Sequence, residues 1–379
     1  MLNRAFNAYP QREVFGISQE YIKLTGGDPD VEAPSWAIEA ALNAIKEGGK
    51  WTHYATRGEI PDQFKQAVVD YYAGFGSVYE PENVIPTAGS SSALYIALAS
   101  VLEEGDEVLM WSPSYRGHYR ILEEMGVKAS VAPLSRETGY HTDLDTLEDY
   151  VSPNTKAVLI CNPNNPTGTV FTRKELETIG EIAIDYDLAV FSDEIYLHFV
   201  YDDNEFIATS TLDGLKERTI NIMSFSKTFS MTGWRLGYVI VPEMYLDKAN
   251  KVNGLVAPRP VTFVYAAGIA ALRGSMSYVE ARRRAYDERR KYFCKAIDDL
   301  DGLSCHLFEG AFYAWFDASS YGLGSEEFVK RFQEAENVGL SPGNQFGVNT
   351  DGFIRVPLVQ PVPVLEDVVW RLDRFLGTL

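Results

Sequence analysis

Basic charge, cysteine and long apolar runs are all scarce in this chain, and each scarcity removes a class of function. Lys and Arg number 34 against 53 Asp and Glu, which leaves a net charge of −19 over 379 residues. A surface so acidic repels phosphate backbones and anionic lipids across a Debye length of roughly 8 Å, so neither nucleic acid nor a membrane is expected as a partner. No apolar run approaches the ~20 residues that span a bilayer. Residues 1–6 carry one positive charge but neither an apolar core nor a small-residue cleavage pattern, so no secretory leader is expected. The three cysteines, Cys161, Cys294 and Cys305, lie far apart without a Cys-x-x-Cys pair, and the five histidines form no metal-ligand spacing. That argues against a disulfide framework and against a zinc site, and for a reducing, cytoplasmic compartment.

What is present reads as a globular enzyme. Apolar residues make up 46% and charged residues 23%, and the length suits two domains or one large α/β unit with an appendage. Residues 107–111, 156–161, 188–192, 219–223 and 236–241 read as buried strands, being short, apolar and closed by turn signals such as Ser112-Pro113 and Asn162-Pro163. Helical patterns occupy 119–125 and 173–185. Apolar runs without polar alternation, separated by helices, predict a mostly parallel sheet covered on both faces. Ligands of such sheets bind beyond the carboxyl ends of the strands. From about Tyr265 the texture changes to a long charged helix over 280–299 and weaker alternating runs at 311–316 and 353–356. This predicts a smaller α+β domain, with the basic run Arg282-Arg283-Arg284 as a solvated helix face.

Four segments at the expected strand ends carry chemistry. Gly89-Ser90-Ser91-Ser92 opens a helical run; small residues there leave N–H groups free, add hydroxyl donors and focus the positive end of the dipole on one spot. That suits a phosphate, although an ordinary N-cap reads alike. Ser224-Phe225-Ser226-Lys227 places a lysine just past a buried strand, with Arg235 following. A desolvated lysine has a lowered pKa and attacks carbonyls, and a guanidinium grips a dianion; an exposed loop lysine is the alternative. Ser192-Asp193-Glu194-Ile195-Tyr196 puts an acid at a strand end, costly to desolvate unless it faces a cation such as a protonated ring nitrogen. Asn162-Pro163-Asn164-Asn165-Pro166-Thr167-Gly168 is stiffened by two prolines and offers amides to a ligand ring or carboxylate, as other Asn-Pro turns also do. Cys161 reads as a buried strand residue, and His118 and His198 as structural or pocket-lining.

A Schiff-base lysine, an acid for a pyridinium nitrogen, donors for a phenolate oxygen and a phosphate cradle are together what pyridoxal phosphate needs. Their order, with Ser-x-Ser-Lys, Gly-x-Arg-x-Gly and Asn-Pro-Thr-Gly, resembles the class I/II aminotransferases, fold-type-I pyridoxal-phosphate enzymes related to aspartate and aromatic aminotransferases, from about residue 24 to residue 355. The resemblance implies an α/β fold: a three-layer, mostly parallel sheet in a large cofactor domain, residues 43–268, and a smaller α+β domain from residues 1–42 and 269–379. It implies Lys227 as Schiff-base lysine and proton shuttle, Asp193 on the ring nitrogen, Tyr196 and Asn165 on the phenolate oxygen, and Tyr115 stacked on the ring. Gly89, Ser90, Ser91, Ser224, Ser226 and Arg235 would surround the phosphate. Arg355 would grip the substrate α-carboxylate, with Gly27 and Asn165 beside the substrate. Tyr54 matches a tyrosine that reaches the neighbouring subunit's phosphate, which implies a homodimer with shared active sites.

The implied reaction moves an amino group between an amino acid and a 2-oxo acid. A C–S β-lyase, an aminocyclopropane-carboxylate-type synthase or a decarboxylase shares every cofactor contact and stands as the alternative. The phosphate loop offers serines rather than a lysine, and residues 14–17, expected to border the pocket, are apolar. A neutral or aromatic amino donor is therefore expected, with glutamate and 2-oxoglutarate as partner pair by family habit. Arg57 and Arg116 sit beside cofactor-contacting positions and are the candidates to read a charged side chain.

Overall fold

Seven strands form the central sheet of the computed structural model, which describes residues 21–55, 58–256 and 259–379. They are β1 (Val84–Thr87), β2 (Glu107–Ser112), β3 (Lys128–Pro133), β4 (Thr155–Cys161), β5 (Ala189–Asp193), β6 (Thr219–Ser224) and β7 (Gly237–Ile240). Across the sheet they run β1-β7-β6-β5-β4-β2-β3, and β7 alone opposes its neighbours. Successive residues of a strand point to opposite faces, and here both faces are covered. Val108, Met110, Leu159 and Phe191 enter one buried cluster, while Leu109, Trp111, Val158, Ile160 and Val190 enter another across the sheet. This is why the runs show no polar alternation.

The expected runs coincide with β2, β4, β5, β6 and β7 to within a residue at each end. β1 and β3 had no such signal. Both are edge strands; β3 leaves Lys128, Ala129 and Pro133 exposed and so needs fewer apolar residues, whereas β1 is buried but spans only four residues with Pro86 among them.

The helices are α1 (Ser35–Glu47), α2 (Glu59–Ala73), α3 (Ser90–Val101), α4 (Arg116–Glu124), α5 (Arg173–Asp185), α6 (Glu243–Val256), α7 (Thr262–Arg273), α8 (Ser277–Asp298), α9 (Ser325–Glu336) and α10 (Val362–Leu376). α5 starts where expected because Thr172 and Glu175 form a reciprocal capping box. A second, antiparallel sheet combines β8 (Ser304–Cys305), β9 (Tyr313–Asp317), β10 (Ser341–Pro342) and β11 (Phe353–Pro357) in the order β10-β11-β9-β8. The expected joints at 42/43 and 268/269 fall inside α1 and α7, two continuous helices that pack on each other.

The basic run corrects one expectation. Arg282 is buried, Arg283 is paired with Glu280 at 2.9 Å, and of the three only Arg284 points mainly to solvent. Consecutive residues of an α-helix diverge by about 100°, so three in a row cannot share one solvated face. Among the described residues no helix is long and apolar enough to cross a membrane.

Candidate active site

The carboxyl ends of β1, β2, β4, β5 and β6 share one edge of the sheet, and the reversed β7 begins there. Gly237 pairs with Thr87 on one side and with Ser224 on the other. Arg235, two residues earlier, is therefore delivered between the loops that follow β1 and β6. Its backbone is left-handed at φ 54°, and its guanidinium donates to the carbonyls of Thr232 (2.8 Å) and Ala88 (3.0 Å). Gly89 has φ 100°, and a Cβ there would stand 2.5 Å from Arg235 Nη2; only glycine meets both conditions without strain. Gly89 brings no capping side chain to the start of α3, which opens with Ser90 and Ser91. Ser226 N–H donates to Ser224 Oγ at 3.1 Å, and the two hydroxyls are 2.8 Å apart.

Lys227 lies in the single turn Phe225–Thr228 that follows β6. Its Nζ donates to the carbonyl of Gly27 at 2.5 Å. Burial, reinforced by the guanidinium groups of Arg355, Arg235 and Arg282 and opposed by Asp28, lowers its pKa from the usual lysine range to about 8. Buried Arg282 reaches over from α8 and donates to the carbonyls of Lys227 (3.0 Å) and Thr228 (3.1 Å). A cation on the last carbonyls of a turn satisfies acceptors that have no partner within it.

Asp193, buried at the end of β5, faces His118 Nε2 at 3.0 Å, and His118 Nδ1 meets Ser114 Oγ at 3.0 Å. Cys161 Sγ lies within 4.8 Å of the His118 and Asp193 ligand atoms, a spacing compatible with a metal ion, but both His118 nitrogens are already engaged. Tyr115 stands edge-on to His118 at 5.4 Å. Glu194, the next residue after Asp193, turns into the core, where Tyr72, Ser192 and Asn221 donate to it and burial raises its pKa to about 7.

Arg355 of β11 completes the cluster. It is buried and donates to Asn165 Oδ1 (3.1 Å) and to the carbonyl of Thr25 (2.8 Å), and its Nε has no partner. Asn165 Nδ2 donates to Tyr196 Oη at 3.2 Å, and Tyr196 Oη lies 2.9 Å from Tyr313 Oη. Among the described residues no carboxylate pairs with Arg355, Lys227 or Arg235. Of the three, Arg355 is buried, Lys227 is partly buried and Arg235 is exposed; a charge buried without an opposite charge is costly, which applies above all to Arg355.

Tyr313 went unnoticed in the sequence, Arg282 was read only as part of a solvated run, and His118, read as structural or pocket-lining, contacts Asp193. Ser114 and His118 are four apart at the start of α4, a helical spacing, but the expected helix began only at 119. Tyr54 is not drawn into the cluster and stands 98% exposed. Arg116 is exposed, and its Nη1 donates to Gln345 Oε1 at 3.0 Å. Arg57 and residues 14–17 lie outside the described residues.

A lysine, an acid and unpaired cations gathered on the carboxyl edge of a seven-stranded, mostly parallel sheet define an α/β enzyme of fold type I. The chain belongs to the aminotransferase class I and II family, whose model matches residues 19–364. It is 36% identical to an aspartate aminotransferase of Pyrococcus horikoshii, over 94% of this chain and 91% of that one. It is 34% identical to aromatic-amino-acid aminotransferase 2 of Thermococcus litoralis, over 96% and 95%. The crystal structure of an aromatic aminotransferase from Pyrococcus horikoshii superposes with a TM-score of 0.90 at 33% identity, covering 97% and 99% of the two chains. The protein is an enzyme, an aminotransferase, and the lyase, synthase and decarboxylase alternatives are not favoured.

Proposed function

We propose that the enzyme holds pyridoxal phosphate at Lys227 and moves an amino group between a neutral or aromatic amino acid and a 2-oxo acid. The observation that carries this reading is the grouping of Lys227, Arg235 and Arg355, which have no carboxylate partner among the described residues, at the sheet edge where buried Asp193 ends its strand, in a chain of net charge −19. Arg235, the serines Ser90, Ser91, Ser224 and Ser226, and the uncapped start of α3 at Gly89 suit a phosphate. Asp193 suits a protonated ring nitrogen, Tyr196 and Asn165 a ring oxygen, and Tyr115 a ring face. When bound, the cofactor supplies an aldehyde for the amino group and a ring that draws electrons. Arg355 holds the substrate carboxylate, with Gly27 and Asn165 alongside. Lys227, kept close to neutrality by burial, takes and returns the proton at the substrate Cα.

The same reading makes the molecule a homodimer in which Tyr54 enters the partner's phosphate site. Its full exposure supports this, as do the exposed apolar side chains Leu42 and Ile45 on α1 and Leu255 on α6. The two sheets support a large cofactor domain, residues 43–268, and a smaller α+β domain from residues 1–42 and 269–379. Three buried, free cysteines fit a reducing, cytoplasmic setting.

Rings of Tyr313 and Phe346, each 4.6 Å from the Arg355 guanidinium, favour a neutral or aromatic donor. Arg116, whose partner among the described residues is the neutral amide of Gln345, favours a dicarboxylic acid such as 2-oxoglutarate as the other member of the pair. The test compares kcat/KM for phenylalanine, methionine, alanine and aspartate with 2-oxoglutarate as acceptor, in the parent and in Arg116→Ala. Phenylalanine or methionine should be the best donor, and Arg116→Ala should raise the KM for 2-oxoglutarate about tenfold, ~1.4 kcal/mol of binding. Aspartate as best donor overturns the donor class, and pyruvate with ammonia formed without any acceptor overturns transamination.

A further inference from the structure

Tyr313 lies on β9 and is 2% exposed, and its ring has been read as bordering the substrate but its hydroxyl has not. Its hydroxyl is 2.9 Å from Tyr196 Oη, and its ring lies under the Arg355 guanidinium at 4.6 Å. Gly27 packs so tightly on the hydroxyl that a Cβ there would stand 2.0 Å away. Counting protons decides which phenol donates. Tyr196 has one proton, and its oxygen already accepts from Asn165 Nδ2 at 3.2 Å. With the Tyr196 proton directed to the cofactor's ring oxygen, the contact between the phenols is a hydrogen bond only when Tyr313 donates. Both groups keep their protons at neutral pH, because burial pushes Tyr313 up to about 12 and Tyr196 well above its usual value. Arg355 over the ring face draws electron density from Tyr313, and a phenol that receives a hydrogen bond donates its own more strongly.

We propose that Tyr313 is a positioning residue of the transamination site: it donates to Tyr196 Oη and so commits the Tyr196 proton to the cofactor's ring oxygen. This rests on the pyridoxal-phosphate reading of the site. Stabilising negative charge on that oxygen lowers the proton affinity of the neighbouring nitrogen, so removing the Tyr313 proton should raise the pH at which the bound cofactor deprotonates. Tyr313→Phe keeps the ring against Gly27 and under Arg355, and deletes only the donor.

The test loads the parent, Tyr313→Phe, Tyr196→Phe and the double variant with pyridoxal phosphate and titrates the visible absorption of the bound cofactor. The midpoint of Tyr313→Phe should rise by about half a unit and that of Tyr196→Phe by more, while the double variant should match Tyr196→Phe alone, because Tyr313 acts through Tyr196. In Tyr313→Phe kcat should fall about threefold with the KM for the amino acid within about twofold of the parent. An unmoved midpoint in Tyr313→Phe, or single-variant shifts that simply add, overturns the role given to Tyr313. A parent that takes up no cofactor and shows no visible band overturns the reading of the site itself, so the two failures are distinct.

Discussion

A lysine that attacks an aldehyde must first be an amine, and the lowered pKa of Lys227 suits the role proposed for it. Burial is the main cause of its depressed pKa of about 8, and three guanidinium groups reinforce it. Protons leave the ammonium as pH rises, so the cofactor-free protein should capture pyridoxal phosphate faster with rising pH, with a midpoint near 8 and a plateau above. Stopped-flow absorbance measures this directly. Arg355→Met removes one of the charges that lower the pKa, so its midpoint should move up; a parent midpoint near that of free lysine, about 10.4, would show that Lys227 is solvated. At this scale Lys227 and Asp193 stand out in the sequence because each follows or ends a short apolar run, and Arg355 was named only through the family resemblance. The partner of His118 and the presence of Tyr313 in the site were not legible, because they lie in contacts with Asp193 and Tyr196 across 75 and 117 residues of chain.

Elements position these residues through one reversal of direction. Were β7 parallel to its neighbours, Arg235 would sit at the opposite edge of the sheet, away from Gly89 and Ser226. Instead the start of β7 wedges between the ends of β1 and β6, and Gly89 gives way to the Arg235 guanidinium. Gly89→Ala should therefore strain a left-handed backbone and push Arg235 aside at once. We expect the dissociation constant for pyridoxal phosphate to rise at least about tenfold, ~1.4 kcal/mol, measured by absorbance titration of the cofactor-free variant. An affinity equal to the parent's would mean that Arg235 and the start of α3 do not share one anion. α8 makes the same point from the other sheet's side: its buried Arg282 fastens the lysine-bearing turn, although its sequence reads as a solvated basic run.

For the whole molecule, the proposed dimer makes a prediction that no single chain can satisfy. Tyr54→Ala damages the site of the partner, whereas Lys227→Ala damages the site of its own chain. Mixing the two inactive variants under conditions that exchange subunits should rebuild one intact site in each hybrid, and random pairing should return about a quarter of the parent's specific activity. Activity that stays at the level of the separate variants, with hybrids demonstrated by mass, would place Tyr54 outside the catalytic site. The exposed aromatic ring of Tyr54 and the apolar side chains of α1 and α6 would then need another partner surface.

The sequence by itself determined the sheet interior and the helix over 173–185, and it marked the candidate reactive groups at the strand ends, because those signals are local. An apolar run buried on both faces, a capping box, and a lysine one turn past a strand are each written within a few residues. Only the tertiary structure decided what depended on distant partners. Edge strand β3 needed too little burial to announce itself, β1 is buried but only four residues long, and Arg282 showed its inward face only once α8 was packed on the Lys227 turn. The chain from Arg355 through Asn165 and Tyr196 to Tyr313 joins four segments that meet only after the two sheets are brought together. A hydrogen bond is a relation between two positions in space, and the order of residues fixes such a pair only when it also fixes the fold between them.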